Sequence, residues 1–291
     1  MLAEKTAPAT TLAEAYAHCR RIALGHYENF PVVSWLLPRE LRDPMYAVYA
    51  YCRGVDDLGD EAEGDRLSLL DQWEAELRRC YDGSPSDPRF VALADTIRRF
   101  DITPEPFVRL IEANRRDQRQ ARYQTFDELL GYCSYSANPV GRLVLHVFGY
   151  RDEERAALSD ATCTALQLTN FWQDVVRDLA MGRIYIPQQD MADFGVSEAD
   201  LAAELATPAL RELMRFEVQR TREYFRRGLP LIGSVRGRLR VDLRLFTLGG
   251  LSILDAIERQ RYDVLSHRPT VSKPRKLWLG LRALAPVGAL R

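Results

Sequence analysis

Two stretches of this chain place acidic side chains at helical intervals among apolar and aromatic neighbours. The first carries Tyr46, Tyr49, Arg53, Asp56 and Asp60 at steps of three and four, with Asp57 at the edge. A helix puts these on one face. The second carries Gln167, Asn170, Asp174 and Asp178, set among Leu166, Leu168, Phe171, Trp172 and Val175. Like charges one turn apart weaken an isolated helix by about 0.2–0.5 kcal/mol, and a carboxylate desolvated without a partner is costly. Hard divalent cations answer both problems. Carboxylates at i and i+4 can share a metal, and Mg²⁺ takes one or two of them while substrate phosphates complete its octahedron. Two such clusters on facing helices would hold a diphosphate, with the metal as a Lewis acid on the leaving group. Ordinary ion pairs are the alternative. A D-D-x-x-D pattern also occurs on solvated helix ends, and Arg177 and Arg183 stand close enough in sequence to neutralise Asp174 and Asp178. That both clusters lie in aromatic-rich helices, with amide or Arg companions at helical spacing, favours the metal.

The elements that must position these groups read as helices throughout. Prolines punctuate the chain, and the stretches between them repeat with a period near 3.6 rather than 2. Leu41, Met45, Val48, Cys52 and Val55 form an apolar stripe beside the first acidic one. Thr125-Phe-Asp-Glu128 has the spacing of a capping box, and the spacing predicts a helix from there towards Val147, kinked at Pro139. Proline-free runs predict long helices over about 153–180, 210–229 and 237–265. The expectation is an all-α protein: one domain over 1–291 whose core is a bundle of long helices, with 1–10 and 274–291 as peripheral tails.

At the acidic segments the chain resembles a known family. Ala47 to Glu61, A-V-Y-A-Y-C-R-G-V-D-D-L-G-D-E, resembles the first aspartate-rich motif of the squalene/phytoene synthases. Gln167 to Pro187, with Q-L-T-N-F-W-Q-D-V-V-R-D and G-R-I-Y-I-P, is similar to the second, and Arg122 to Cys133 and Tyr262 to Lys273 continue the likeness. The resemblance implies a class I isoprenoid synthase fold, a bundle of long helices around a central cavity, and two or three Mg²⁺ ions on Asp56, Asp60, Asn170, Asp174 and Asp178, the four aspartates being catalytic. It implies diphosphate contacts from Tyr49, Arg53, Gln167 and Arg268, with His26 and Asp117 as further substrate-binding candidates. For Asp117 an ion pair, and for His26 a capping role, stand beside those assignments. Segments His26–Val32, Ser136–Gly141 and Asn170–Asp174 resemble the hydroxysqualene-forming branch of bacterial squalene and hopanoid pathways. That branch converts presqualene diphosphate and water to hydroxysqualene. Gln173 stands where a phytoene-forming pattern usually has Arg, and Asn138-Pro139 where it has a small residue and Gly. Asn138 is accordingly a candidate for holding the quenching water, and Gly249-Gly250 replaces larger side chains. Condensation of two farnesyl diphosphates is the alternative reaction, and a non-catalytic helical assembly factor the alternative of another class.

Composition limits the remaining options. The 291 residues are 46% apolar and 28% charged with a formal net charge of −1, so no global field attracts nucleic acid. Five scattered cysteines, an odd number without a C-x-x-C pair, fit a reducing cytosol rather than a disulfide framework or zinc site. The first residues lack the apolar core of a signal peptide, and no run of 18 apolar residues suggests a membrane span. No G-x-G-x-x-G fingerprint is present, so NADPH is not expected as a cofactor. His18, His146 and His267 lack metal-ligand spacing. The aromatic residues Phe30, Trp35, Tyr46, Tyr132, Phe171 and Trp172 are either core or carbocation-stabilising faces. From Lys273 onward, bases alternate with Leu and Trp, a composition that suits either a membrane interface at the inner face or a basic tail.

Overall fold

The protein is described by a computed structural model that covers residues 10–25 and 37–284. His26, Phe30 and Trp35 lie outside the described residues. Among those described, all regular structure is helical apart from one isolated bridge between Arg122 and Ile184. The helices gather in two compact units. One comprises the chain up to Gln118 with Leu143–Tyr150, the other Arg119–Arg142 and everything from Arg151 onward.

The first unit contains α1 (Leu12–Gly25), α2 (Arg39–Asp60), α3 (Arg66–Asp82), α4 (Pro88–Phe100), α5 (Glu105–Asp117) and the end of α7 (Asn138–Val147). Asp65 and Asp87 cap α3 and α4 by accepting from the Ser68 and Arg89 amides at 3.2 and 2.8 Å. Gly83, left-handed at φ 84°, closes α3. Pro44 lies inside α2, where its missing N–H would strand the Glu40 carbonyl. The Arg99 guanidinium donates to that carbonyl at 3.2 Å, which lets the helix run through the proline. Tyr51 centres the core, 1% exposed, with its hydroxyl on the Phe107 carbonyl at 2.9 Å and the Trp73, Phe90 and Phe107 rings around it.

The second unit holds α6 (Phe126–Ser136), the start of α7, α8 (Glu153–Gln173), α9 (Val175–Ala180), α10 (Gln188–Asp193), α11 (Glu198–Leu201), α12 (Pro208–Gly228), α13 (Pro230–Ser234), α14 (Gly237–Arg259) and α15 (Lys273–Leu284). Helices α8 and α12 pack along their lengths. Trp172 donates to Thr221 at 2.8 Å near one end, and Gly228 receives Thr162 near the other. Gly250 lets α14 approach Phe225 and Leu166, while Gly249 faces open space.

Local chemistry redraws several expected boundaries. Instead of one kinked helix, α6 ends at Ser136 and α7 begins at Asn138, so Pro139 sits in a first turn where its missing N–H costs nothing. The Thr125 hydroxyl caps Glu128 at 3.2 Å, but the Glu128 carboxylate reaches the Gln124 amide at 2.7 Å and not that of Thr125. The run over 153–180 is interrupted at Asp174 (φ −109°, ψ 17°), although the bonds from the Asp174 amide to Asn170 and from the Asp178 amide to Asp174 persist at 2.9 Å. Residues 273–284, expected within a tail, form α15, and its Leu279 and Ala283 are buried beside Leu248. All five cysteines are free.

At Gly54, α2 packs tightly on the aromatic core: a Cβ there collides with the Trp73 ring, itself fixed against Tyr51, Phe90 and the Arg89 guanidinium. Overpacking of this kind costs about 1–3 kcal/mol, and Ala recovers roughly 1 kcal/mol over Gly in a helix. Gly54→Ala is therefore expected to lower the midpoint of urea unfolding, and an unchanged or raised midpoint would contradict the packing described.

Candidate active site

In the first unit the acidic face is the C-terminal part of α2. Asp56 and Asp60 are both accessible to solvent. Helix α5 supports them: Asn114 donates to Asp56 at 3.4 Å and to the Leu110 carbonyl at 3.1 Å, and Gln118 donates to the Gly59 carbonyl at 2.9 Å. Gly59 has no side chain because Asn114 fills the space a Cβ would need. Neither Asn114 nor Gln118 was singled out from the sequence as a support for the acidic face. Their four-residue spacing was the available signal. Asp117 is half-buried at the end of α5.

Crowding by protein strips hydration from Asp56 and pushes its carboxyl up to about 7; Asn114 and Arg53 oppose the rise, while Asp60 and Asp57 add to it. Arg53 is held by Asp57 at 2.6 Å and Glu61 at 2.8 Å. Tyr49 is half-buried beside it, and burial raises its phenol, with Asp57 and Asp56 adding and Arg53 opposing.

The second unit presents Gln167 half-buried and Asn170 exposed on α8, followed by Asp174 at the break and a half-buried Asp178 on α9. Arg268 grips Asp174 with both arms of its guanidinium, at 2.6 and 2.9 Å, and Arg177 stands 3.6 Å away. The partner of Asp174 is thus the residue assigned to diphosphate, 94 positions along the chain. Gln173 fixes that loop by donating to the Pro269 carbonyl at 2.6 Å. This role for the branch-marking glutamine was not legible in sequence. Asp178 borders a crevice with Phe171, Val175, Arg183 and Tyr185. Behind it Phe171 stacks on Tyr185 at 3.9 Å, with Tyr132 and Tyr123 completing an aromatic cluster.

Asn138 is not brought to this acidic face. It accepts from Thr164 at 3.0 Å and lines an open cavity of about 620 Å³ with Glu154, Asp160, Tyr224 and Arg227. Thr164 precedes Asp174 by ten residues, about 15 Å along α8, and the cavity's α8 residues point roughly a third of a turn away. Trp172 and Tyr46 are buried core.

Both clusters offer the hard oxygen donors that Mg²⁺ takes. Among the described residues no three of His, Cys, Asp and Glu converge tightly enough to hold an ion alone. Such a donor set fits a cation whose remaining ligands come from a phosphate-bearing substrate.

A family model described as squalene/phytoene synthase matches residues 7–275, and the chain belongs to that family of enzymes, which act on prenyl diphosphates. Squalene synthase HpnC from Alicyclobacillus acidocaldarius is 53% identical and superposes with a TM-score of 0.83, covering 86% of this chain and 95% of its own. A dehydrosqualene synthase solved with a ligand is 27% identical with a TM-score of 0.86, covering 94% and 96%. The 15-cis-phytoene synthase of Synechococcus elongatus is 36% identical over 92% of this chain and 91% of its own.

The raised Asp56 pKa has a consequence for stability. A carboxyl whose folded value lies above its ordinary unfolded value favours the native state at low pH, and that contribution is lost as pH rises through the folded value near 7. In metal-free buffer Asp56→Asn should therefore gain melting temperature over the parent progressively from about pH 4 to about pH 8. A difference that is flat with pH, or of opposite slope, would refute the crowded setting assigned to Asp56.

Proposed function

We propose that this enzyme converts presqualene diphosphate and water to hydroxysqualene and diphosphate. The observation that carries the reading is the 53% identity to squalene synthase HpnC, against 36% to the phytoene synthase. The branch segments Ser136–Gly141 and Asn170–Asp174 support it, and the Gln173 bond to Pro269 gives one of their marks a structural part.

Asp56 and Asp60, and separately Asn170, Asp174 and Asp178, are the residues that would hold Mg²⁺, which would supply Lewis-acid stabilisation to the leaving diphosphate. Arg53 and Tyr49 beside one cluster, and Gln167 and Arg268 beside the other, bind phosphate oxygens. The two-armed geometry by which Arg268 holds Asp174 is the geometry that matches phosphate. Cleavage of the carbon–oxygen bond leaves a cyclopropylcarbinyl cation and diphosphate. Aromatic faces such as Tyr132, Phe171 and Tyr185 each stabilise a nearby cation by roughly 0.5–2 kcal/mol. After rearrangement, the oxygen of one water bonds to the carbocation and that water releases a proton.

A second reading, condensation of two prenyl diphosphates, is favoured by the likeness to the phytoene synthase and to the dehydrosqualene synthase. Purified protein with Mg²⁺ and no NADPH, given presqualene diphosphate or farnesyl diphosphate separately, distinguishes the two by mass spectrometry of the products. Hydroxysqualene from the first, with the second untouched, is the expected result; consumption of farnesyl diphosphate would select condensation. With the active substrate, Asp174→Asn should lower kcat/KM by about 100-fold or more, and near-normal turnover would remove the second cluster from the mechanism.

A further inference from the structure

Helix α15 turns an apolar face outward. Leu277, Leu281 and Leu284 are 71%, 63% and 64% exposed and Trp278 is 42% exposed, while only Leu279 and Ala283 are buried against α14. Around the helix, at about 100° per residue, Leu284, Leu277, Leu281, Pro274 and Trp278 form one continuous arc of roughly 120°. Bases border it on both sides: Lys273 and Lys276 on one, Arg275 and Arg282 on the other. The Arg275 and Arg282 guanidiniums lie over the Trp278 ring, 4.3 and 4.9 Å from its centroid. No acidic residue occurs from Val264 to Leu284.

We infer that α15 docks the protein on an anionic phospholipid surface, lying in the plane of the interface with Leu277, Trp278, Leu281 and Leu284 seated among the lipid chains. Charge arrangement selects this occupant. An apolar arc bordered on both edges by cations, with an interfacial Trp, matches a layer of hydrocarbon beneath negative headgroups. A second copy of the helix would bring eight like charges to one seam. The helix cannot cross a bilayer: twelve residues span about 18 Å of the roughly 30 Å hydrocarbon core, and no described helix has the length and apolarity of a span. The inference does not depend on which prenyl reaction the enzyme performs.

Co-sedimentation of the full chain with vesicles tests it. Binding to phosphatidylglycerol–phosphatidylcholine vesicles is expected, weakened about tenfold or more on pure phosphatidylcholine or in about 0.5 M NaCl. Leu277→Glu with Leu281→Glu should abolish it while far-UV circular dichroism and turnover of detergent-dispersed substrate stay unchanged. Should that variant misfold, Lys273→Gln with Lys276→Gln keeps the apolar arc and is expected to weaken binding to the anionic vesicles about tenfold. No binding by the parent, or equal binding by parent and correctly folded variants, would overturn the inference. So would a concentration-dependent dimer, seen by light scattering and lost in the Leu variant, in a protein that ignores vesicles.

Discussion

The constraint that organises this protein is charge balance at the end of a packed helix. Asp56, Asp57, Asp60 and Glu61 crowd the last turns and C-cap of α2, where the helix macrodipole already disfavours negative charge and no base stands in the last turn. Arg53 reaches back to two of these carboxylates, and Arg66, the next base, donates to the backbone carbonyls of Ala62 and Asp60. Like charges so close together at one helix end repel one another. At Asp56 loss of hydration raises the carboxyl first, and the neighbouring Asp60 and Asp57 add to the rise. A metal-bearing ligand of the kind proposed would supply the opposing positive charge, so that the same carboxylates would burden the empty fold and serve the loaded one.

The second unit meets its own version of the problem with a long-range arginine. Asp174 sits where α8 breaks, and Arg268 neutralises it from a loop that Gln173 ties down one residue away. Asp263 anchors the same loop further back, accepting from the Ala206, Leu265 and Ser266 amides and pairing with Arg211 at 2.9 Å. Arg268 is thus placed by three separate attachments, which limits the entropy lost when its guanidinium engages a ligand.

What sequence revealed and what it hid divide along physical lines. Helices α2, α8, α12 and α14 were legible because proline spacing and a 3.6-residue apolar period are local signals. The passage of α2 through Pro44 was not, since it depends on Arg99 from another helix. Neither was the Arg268–Asp174 pair, because nothing local links residues 94 apart. The acidic spacing itself was local; the first cluster lies on α2, while the second straddles the break between α8 and α9. For Asn138, the departure from the phytoene-forming pattern suggested a site for the quenching water, whereas its direction was decided by Thr164, on a different face of α8 from Asn170. Residue type announces a chemical capacity, and the face of the helix decides where that capacity points.

Four residues separate Arg268 from Lys273, where α15 begins. The segment that holds a cationic fork on Asp174 therefore continues almost at once into the helix with the outward apolar arc. Val271 between them packs with Leu248 and Leu279, so the connection is itself part of the α14–α15 contact. A chain so short and so attached leaves little freedom for one end to move without the other. The guanidinium that pairs with Asp174 and the outward leucines of α15 are therefore fixed to one another within one short stretch of the chain.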